Sequence, residues 1–480
     1  MTPETQTPVV VRMPPSPTGH LHLGTARAAL FNWLFARHHS GKIIFRWEDT
    51  DRERSKPEFE REILDGLKWL GMDFEQESEI FRQTENAELH RQKLAKLWEE
   101  EKVFPCFTPA EELEEQRKKA ATDKTNFVFW SPWRELDKKT AEEKMKTEKF
   151  VWRLRTPRDR WIVWKDLVRK KVSVNTDTIG DFAVARADGS VLYFLANAID
   201  DATQNITHVL RGEDHISNTP KQMLLYEALG ESEPTFGHIP LVLDQQKRKL
   251  SKRNVEPGVC VLVKDFQTAG FLPEGVVNGL VFLGWNPKTT EEIFSMEALV
   301  EKFEITKVNP GAAQYDFGKM LWFNSQWMRR VDVKKLQQYF ADFSGKSVPV
   351  EALEIAREKA KTLVELEDEL KYLLDDPGWD ASLLMHEKMG LTIEDGQKML
   401  AEILPLLKEI SESEWTAEKL HEVSVKKIEA LGIKNGPFMW PFRVALSNRK
   451  GSAGPFEIAS VIGKEETLRR VERAAGTEKH

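Results

Sequence analysis

The sequence predicts an α/β fold in which a parallel sheet is interrupted by an inserted α+β segment and followed by an all-helical C-terminal third. Three features of the chain predict it. Near the N-terminus, β-branched runs alternate with stretches of helical periodicity. Charged helical and alternating segments then intervene before a short apolar strand resumes at residues 206–210. From Pro273 onward, helical periodicity dominates.

The N-terminal elements follow one another as strand, turn, helix, strand and helix. A β-branched run predicts the first strand, prolines and a glycine end it, and Thr25 is predicted to cap the helix that follows. Pro57 lies where helices accept proline, in the first turn. The predicted ranges, in that order, are residues 9–13, 14–19, 26–34, 42–47 and 57–70.

The middle segment has a different character. Residues 109–146 are rich in Glu and Lys and predict exposed helices, whereas residues 150–174 alternate as strands do. Residues 181–186 and 191–195 predict a strand–turn–strand unit, with an Asp-Gly pair at its turn. We expect this segment to split the first domain.

Beyond it, apolar residues recur at helical spacing and strands are hard to find. The C-terminal third is therefore predicted to be all-α. The predicted helices span residues 274–282, 296–303, 350–373, 392–410, 416–431 and 464–475.

The composition excludes several classes of protein. With 40% hydrophobic and 31% charged residues, the 480-residue chain is typical of a globular protein with ample core material. No apolar run approaches the roughly 18 residues that a membrane helix needs, and the N-terminus carries no export signal. Two cysteines, Cys106 and Cys260, exclude a disulfide framework and any multi-cysteine metal site. We expect a cytoplasmic protein that does not bind membranes.

The formal net charge is −7, yet one segment is strongly basic. Residues 153–171 contain eight Lys or Arg residues against two Asp, with Trp152, Trp161 and Trp164 beside or among them. Such a strip can track a phosphate backbone even on an acidic protein. The alternative is a solvated hairpin face whose arginines pair with neighbouring acids.

Two short motifs carry phosphate-binding chemistry. The first, residues 17–25, joins the first strand to the first helix, where free N–H groups and the helix dipole attract phosphate. There His22 could donate to phosphate oxygens, and Gly24 would let a nucleotide approach the backbone. The second, residues 249–253, is a basic loop that could neutralise a triphosphate. Taken singly, each has an ordinary alternative: a glycine turn with surface histidines, or a common basic pentapeptide.

In this order and at this separation, the two motifs resemble the signatures of class I aminoacyl-tRNA synthetases, specifically of glutamyl-tRNA synthetases. The first signature resembles residues 12–25, Arg-Met-Pro-Pro-Ser-Pro-Thr-Gly-His-Leu-His-Leu-Gly-Thr, and the second resembles residues 249–253, Lys-Leu-Ser-Lys-Arg. Further segments similar to the family's pattern are residues 46–51, 209–220, 272–285 and 441–446. The resemblance covers essentially the whole chain.

The resemblance implies a two-step reaction. ATP and L-glutamate give glutamyl-adenylate and pyrophosphate, and the glutamyl group then passes to the terminal ribose of tRNA(Glu). The substrate carboxylate is itself the nucleophile, so catalysis requires positioning and stabilisation of phosphate charge. Mg²⁺ would accompany ATP, shared with solvent rather than caged by protein. The partners implied are tRNA(Glu), glutamate and ATP, for a monomeric protein.

The resemblance also assigns a glutamate pocket. A buried glutamate side chain demands a cation, and arginine offers a bidentate fork. Arg12 and Arg211 would supply it at the carboxyl edge of the sheet, while Glu48 would accept the α-amino group. Alternatively, Arg12 could pair with Glu48, and Asn197 could cap a helix. The residues assigned to glutamate are Arg12, Ser16, Glu48, Tyr193, Asn197 and Arg211.

The remaining assignments concern ATP, tRNA and the domains. The residues assigned to ATP binding are His22, Gly24, Thr25, Lys249, Lys252 and Arg253. Of these, His22, Lys249 and Lys252 are assigned as catalytic residues. The residues assigned to tRNA binding are Arg158, Arg160, Lys359 and Arg443. The implied domains are a split Rossmann-type catalytic domain (1–80 and 191–254), an inserted acceptor-end-binding domain (81–190), a helical stem-contact domain (255–325) and an all-α anticodon-binding domain (326–480).

The sequence departs from the family's pattern twice. Many bacterial members carry a zinc site of several cysteines in the insert, whereas Cys106 stands alone here, and we expect no zinc. The family usually shows Arg-x-Lys-Thr-Leu on a helix of the anticodon domain, whereas residues 359–363 read Lys-Ala-Lys-Thr-Leu. Because Lys359 lacks the planar fork, the separation of the glutamate from the glutamine anticodon is open.

Two other functions are compatible with parts of the sequence. A glutaminyl-tRNA synthetase shares the class, although the helical C-terminal third argues against it. A catalytically silent tRNA-binding or regulatory protein could keep the fold, although both signatures retain their charged residues.

Overall fold

The computed structural model describes residues 8–51, 53–74 and 80–477, apart from the side chain of Lys252. The chain packs into two compact units. The first comprises Met1–Asp265 and Val277–Phe317, and the second comprises Phe266–Val276 and Gly318–His480. Within the described residues, no helix is long and apolar enough to span a bilayer.

The first unit opens with three parallel strands in the order β1–β2–β3. The predicted alternation of strand and helix is confirmed, but the predicted N-cap is wrong. The first helix begins two residues before Thr25, and the His22 side chain caps it by accepting the Gly24 N–H at 3.1 Å. The elements are β1 (Val10–Met13), α1 (Leu23–His38), β2 (Lys42–Trp47), α2 (Pro57–Trp69) and β3 (Phe81–Arg82).

The insertion is an α+β segment whose buried apolar residues mostly share one cluster with the surrounding α/β part, beside a small cluster of its own around Phe104, Cys106 and Phe129. Strands β4, β5 and β8 form an antiparallel sheet, and β6 pairs with β7 as a hairpin. Along β6, exposed and buried residues alternate, so Ile162 and Trp164 face the core while Trp161 and Val163 face solvent. The elements are α3 (Ala87–Glu99), β4 (Val103–Cys106), α4 (Ala110–Thr122), α5 (Lys138–Met145), β5 (Val151–Leu154), β6 (Trp161–Asp166), β7 (Lys170–Asn175) and β8 (Ala183–Arg186).

One predicted strand, residues 191–195, is wrong. The Asp-Gly turn forms, but Val191 makes only an isolated bridge to Ala185, and helix α6 (Tyr193–Thr203) begins two residues later. A short apolar run fits a buried strand and a buried helix equally well, because hydrophobicity alone does not separate them. In the structure the buried residues run from Leu195 to Asp201 and lie on α6.

The parallel sheet resumes after α6. Strand β9 (His208–Gly212) pairs in parallel with β10 (Thr235–Ile239), and the Thr207 N–H donates to the Val10 carbonyl at 2.9 Å. Strand β9 therefore starts beside β1, which brings their carboxyl ends to one edge. The elements that follow are α7 (Thr219–Leu229), β11 (Val242–Leu243), α8 (Val263–Thr268), α9 (Pro273–Val281), α10 (Met296–Lys302) and β12 (Ala313–Gln314).

From residue 318 onward, the described part of the second unit is helical, as predicted. Its core is built from aliphatic side chains with no solvent exposure, among them Leu366, Leu400 and Ile403. Its helices are α11 (Phe317–Arg330), α12 (Val333–Ser344), α13 (Val350–Ala356), α14 (Leu363–Leu374), α15 (Ile393–Glu409), α16 (Ala417–Leu431), α17 (Asn435–Ser447), α18 (Pro455–Ile462) and α19 (Lys464–Ala475).

Short 3₁₀ turns connect several of these elements, and the single helix predicted over residues 350–373 is two helices, α13 and α14. The turns lie at Gln83–Asn86, Thr176–Thr178, Glu213–Asn218, Lys252–Asn254, Ile305–Lys307, Ala381–Leu384, Glu387–Met389 and Glu412–Glu414.

Candidate active site

A cavity of about 640 Å³ lies at the carboxyl ends of β1, β2 and β9 in the first unit. Its position is the one that parallel α/β sheets offer to ligands, because the loops that leave the strands diverge there. Nine residues predicted for the site line it: Arg12, Ser16, His22, Gly24, Thr25, Glu48, Tyr193, Arg211 and Lys249.

At one end of the cavity, His22 stands at the N-terminus of α1. Its Nδ1 accepts the Gly24 N–H, so the ring proton of the neutral imidazole resides on Nε2. Burial, and then the charge of Lys249, lower the pKa of His22 below its ordinary value, which keeps the ring neutral. Nε2 is buried and has no hydrogen-bond partner among the described residues. His22 therefore offers a free N–H beside a helix N-terminus, an arrangement suited to an anion.

The basic loop contributes Lys249 to the same end. Its Nζ lies 2.8 Å from an Asp214 carboxylate oxygen, and both side chains are well exposed. Burial opposes ionisation of Asp214, but the hydrogen bond from Lys249, the charges of His215 and Lys249 and a backbone hydrogen bond together lower the pKa of this carboxyl. Arg253 is exposed, and the Lys252 side chain lies outside the described part of the chain. Asp214 thus holds the lysine that was predicted to meet phosphate.

At the other end, two arginines share one buried carboxylate. Arg12 Nε lies 3.6 Å from Asp201, and Arg46 Nη1 lies 2.8 Å from it. Arg46 also reaches a Glu48 oxygen at 3.5 Å. Burial raises the pKa of Glu48 above its ordinary value, although Arg46 and Arg12 oppose the shift. Arg12 therefore pairs with Asp201, and the alternative pairing of Arg12 with Glu48 is not the one that the structure has.

Asn197 lies behind the cavity wall. It is 2% exposed, lies inside α6, and accepts a hydrogen bond from Arg46 Nη2 at 3.0 Å. It therefore neither caps a helix nor lines the cavity; its partner Arg46 in turn reaches Glu48, which does line it.

Arg211 is a buried cation whose described partners are all neutral. Its guanidinium donates to Gln222 Oε1 at 2.6 Å, Thr219 Oγ1 at 2.8 Å and His238 Nε2 at 3.2 Å. Burial, and then the charge of Arg12, lower the pKa of Arg211 to about 10. Among the described residues, no carboxylate forms an ion pair with it. A buried charge of this kind is costly unless an anion joins it.

The four residues predicted to contact tRNA are held by local contacts. Arg158 stacks over the Trp130 ring at 4.3 Å, and Arg160 pairs with Glu227 at 2.8 Å. Lys359 donates to the Ser452 carbonyl, and Arg443 Nη2 donates to the Lys450 carbonyl at 3.0 Å. None of these contacts decides between a tRNA-binding surface and a solvated one.

Sequence reasoning missed the residues that hold the site residues in place. Arg46, Asp201 and Asp214 pair across the chain, and His238 supports Arg211 from the neighbouring strand. Arg46 and Asp214 lie in segments similar to the family's pattern. A further signal was Asp201, which like Asp200 is a charged residue in a largely apolar helical run. Its partners could not be read from the sequence, because they lie on other elements.

Comparison with known proteins shows which family the chain resembles over nearly its whole length. Residues 8–322 match the family model for tRNA synthetases class I (E and Q), catalytic domain, and residues 319–475 match that for an anticodon binding domain. Glutamate--tRNA ligase 1 of Caldanaerobacter subterraneus subsp. tengcongensis is 39% identical, with 97% of this chain and 97% of that protein aligned. Glutamate--tRNA ligase 2 of Brucella ovis is 37% identical over 97% of this chain and 98% of that protein.

A solved structure shows the same architecture. The crystal structure of a glutamate tRNA ligase from Elizabethkingia meningosepticum, in complex with its amino acid, superposes with a TM-score of 0.85 at 29% identity. The superposition covers 98% of this chain and 100% of that one. The chain therefore belongs to the glutamyl-tRNA synthetase family of class I aminoacyl-tRNA synthetases.

Proposed function

We propose that this enzyme attaches L-glutamate to the 3′ end of tRNA(Glu) in two steps within the cavity of the first unit. In the first step, a glutamate α-carboxylate oxygen attacks the α-phosphorus of ATP, and pyrophosphate leaves. In the second step, a hydroxyl of the terminal ribose attacks the carbonyl carbon of the adenylate, and AMP leaves. Neither step needs a side-chain nucleophile, so the protein acts by positioning and by charge stabilisation.

The buried guanidinium of Arg211 carries the proposal. Its described partners are neutral, so a substrate carboxylate would supply the anion that the pocket lacks. Glutamine has a neutral amide at that position and would leave the charge unmatched. Glu48 would receive the α-ammonium group, Ser16 and Tyr193 would line the pocket, and Asn197 would act through Arg46.

At the other end, the triphosphate would lie against the N-terminus of α1. His22, Gly24 and Thr25 line the cavity here, and the Nε2–H of His22 has no partner among the described residues. A Cβ added at Gly24 would meet only His22 Nδ1, at 3.6 Å, so the protein leaves room here for a close nucleotide. Lys249 would leave Asp214 and pair with phosphate. Lys252 and Arg253, from the same loop, would also bind the phosphates.

The only metal ion in this proposal is the Mg²⁺ that binds together with ATP. The described residues contain no group of three His, Cys, Asp or Glu side chains that could hold an ion, so Mg²⁺ would be held by phosphate oxygens and water. Cys106 is buried and accepts a hydrogen bond from Ser131 at 3.4 Å, a contact that suits a packed thiol. We propose that zinc has no part, and elemental analysis of the purified protein tests this.

The other domains implied by the sequence would hold the tRNA. We propose that residues 81–190 grip the acceptor end with Arg158 and Arg160, residues 255–325 contact the stem, and residues 326–480 read the anticodon with Lys359 and Arg443. The two family models, which meet near residue 320, support separate catalytic and anticodon-binding parts. A monomer in the cytoplasm is part of the same proposal, and light scattering with cell fractionation tests it.

The function is tested by Arg211→Ala in ATP–pyrophosphate exchange with tRNA present. Because the substrate carboxylate loses its partner, the glutamate KM should rise at least about ten-fold while the ATP KM stays within two-fold. Arg54→Ala, which removes an exposed arginine paired with Asp51, is the matched control. An unchanged glutamate KM would place the amino-acid pocket elsewhere.

A further inference from the structure

Arg211 is supported from behind by a residue on the adjacent strand. Arg211 on β9 lies directly opposite His238 on β10 in the parallel register. Arg211 Nε donates to His238 Nε2 at 3.2 Å, and the two residues are 7% and 0% exposed. The position of the guanidinium therefore depends on the imidazole.

The contacts of His238 define its tautomer. A guanidinium N–H can only donate, so His238 Nε2 must accept and the ring proton must reside on Nδ1. Nδ1 lies 2.5 Å from Asp166 Oδ2, so the imidazole donates to this carboxylate. Burial lowers the pKa of His238, which favours the neutral ring that this arrangement requires.

Asp166 closes the chain of contacts as a fully buried carboxylate at the end of β6. Its Oδ1 accepts the backbone N–H groups of Val168, Arg169 and His238 at 3.0, 2.9 and 3.1 Å. Burial alone would raise the pKa of Asp166, but the His238 hydrogen bond and these N–H groups lower it to about 2. The carboxylate is therefore held charged and in place, and it orients the imidazole.

The support leaves Arg211 with a defined set of free donors. A guanidinium has five N–H groups, and the described residues engage one on Nε, one on Nη1 and one on Nη2. One N–H remains on each terminal nitrogen. A pair of N–H groups, one on each terminal nitrogen, can form the fork that binds a carboxylate in bidentate fashion.

We propose that His238 and Asp166 are positioning residues for the amino-acid side-chain pocket, holding Arg211 so that its two free N–H groups form a fork for a carboxylate. The pair thereby contributes to the preference for a γ-carboxylate over a γ-amide. This inference rests on the proposed role of Arg211. Neither residue touches the reacting atoms, because both act through the guanidinium.

A second buried pair provides a matched control. His90 Nε2 lies 2.7 Å from Asp200, whose other oxygen accepts from Gln83 at 2.7 Å. Both residues are buried, and neither lines the cavity. If a buried His–Asp pair served only packing, disrupting either pair would have the same consequences for the enzyme.

The experiment compares Asp166→Asn, His238→Leu and His238→Gln with His90→Leu as the control. In Asp166→Asn, the nearly isosteric amide can donate to Nδ1, which moves the ring proton to Nε2 and sets it against Arg211 Nε–H. We expect Asp166→Asn and His238→Leu to raise the glutamate KM at least about ten-fold, with the ATP KM within two-fold. His238→Gln, whose Oε1 can accept from Arg211, should recover most of the loss. His90→Leu should lower the melting temperature and leave the glutamate KM unchanged.

The same data separate this inference from the proposed function. If Arg211→Ala raises the glutamate KM but folded Asp166→Asn does not, the positioning role is wrong and the pocket assignment stands. If Arg211→Ala also leaves the glutamate KM unchanged, the pocket assignment itself is wrong. A parallel rise of both the glutamate and the ATP KM would indicate general structural damage and would also overturn the positioning role. Should His238→Leu fail to fold, the nearly isosteric Asp166→Asn decides alone.

Discussion

Five charged side chains, three guanidiniums and two carboxylates, lie at or directly behind the inner end of the cavity, and a third carboxylate near Arg46, that of Asp200, pairs with His90. Asp201 pairs with Arg12 and Arg46, Arg46 also reaches Glu48, and Arg211 has neutral partners among the described residues. The set therefore carries one excess positive charge when both carboxylates are ionised. Zwitterionic glutamate carries one net negative charge and zwitterionic glutamine carries none, so glutamate is the substrate that balances this site.

Lys249 offers a direct test of the phosphate end. Lys249→Ala should slow adenylate formation by about 10²-fold or more, the magnitude typical of losing one preorganised charge partner of a transition state. The glutamate KM should change little, because Lys249 contacts Asp214 rather than the groups that hold Arg12 and Arg211. Lys96→Ala, which removes an exposed lysine paired with Glu100 on α3, is the control for ATP–pyrophosphate exchange. A normal exchange rate in Lys249→Ala would remove the lysine from the phosphate site.

Glu48 should give the reaction an acid limb in its pH profile. Burial raises the pKa of Glu48 above its ordinary value of 4.5, so the carboxylate that would bind the α-ammonium group is lost at higher pH than for an exposed glutamate. The kcat/KM for glutamate should therefore fall as pH drops through this raised pKa. Glu48→Gln should lower kcat/KM at neutral pH and abolish this limb. An acid limb that persists in Glu48→Gln would have to come from another group.

For individual residues, sequence patterns identify ligand-facing side chains better than the side chains that support them. His22 and Lys249 belong to short motifs whose composition is chemically specific, so they could be predicted. Asp201 and His238 act through partners on other elements, and no local pattern marks such pairs. Asn197 shows the same limit, since its neighbour Arg46 is 151 positions away along the chain.

Among the elements, α1 determines the geometry of the phosphate end. The sequence rule for N-caps favours Ser, Thr, Asp and Asn, which is why Thr25 was predicted. The structure instead uses the neutral imidazole of His22 as the acceptor, and the helix begins at Leu23. The same residue thus caps the helix with Nδ1 and presents Nε2–H to the cavity.

The hairpin β6–β7 is the element that tests tRNA binding. Trp161 is 63% exposed on it, and Arg158 and Arg160 precede it. If these arginines neutralise phosphates, Arg158→Ala/Arg160→Ala should weaken tRNA binding at low salt. The slope of log affinity against log salt should flatten by roughly one to two units, since each phosphate contact contributes about 0.9. Binding isotherms at three salt concentrations measure this.

A control and a clear alternative accompany this test. Arg54→Ala/Arg91→Ala also removes two exposed arginines, each paired with an acid one turn away, and should keep the salt slope. On the alternative interpretation, Arg160 only pairs with Glu227, and an exposed pair contributes about 0–1 kcal/mol. An unchanged slope in the hairpin variant would therefore favour a solvated surface.

Helix boundaries in the second unit show where periodicity misleads. The predicted helix over residues 350–373 breaks between α13 and α14, because Thr362 adopts an extended conformation and caps α14 by accepting the Glu365 N–H. Leu363 N–H also donates to the Gly270 carbonyl rather than to a preceding turn. Apolar spacing continues across the break, so the pattern alone predicts one helix.

For the whole molecule, the fold class and the order of an α/β part before an all-helical part could be predicted. Long periodic segments and the two signatures can both be recognised in a single sequence. The failures are local. Residues 191–195 form the start of α6, because a short apolar run suits either kind of element. The charge balance of the cavity could not be predicted, because its five members come from β1, β2, α6 and β9 and meet only in the fold.

We propose that the excess positive charge around Arg211 selects glutamate. The most direct measurement is tRNA-dependent ATP–pyrophosphate exchange by the unmodified enzyme with glutamate or glutamine as the only amino acid, with tRNA(Glu) and tRNA(Gln) supplied separately. Exchange should be supported by glutamate and should be at background with glutamine, whichever tRNA is present, because the amide leaves Arg211 unmatched. Exchange with glutamine at a rate comparable to that with glutamate would contradict the claim.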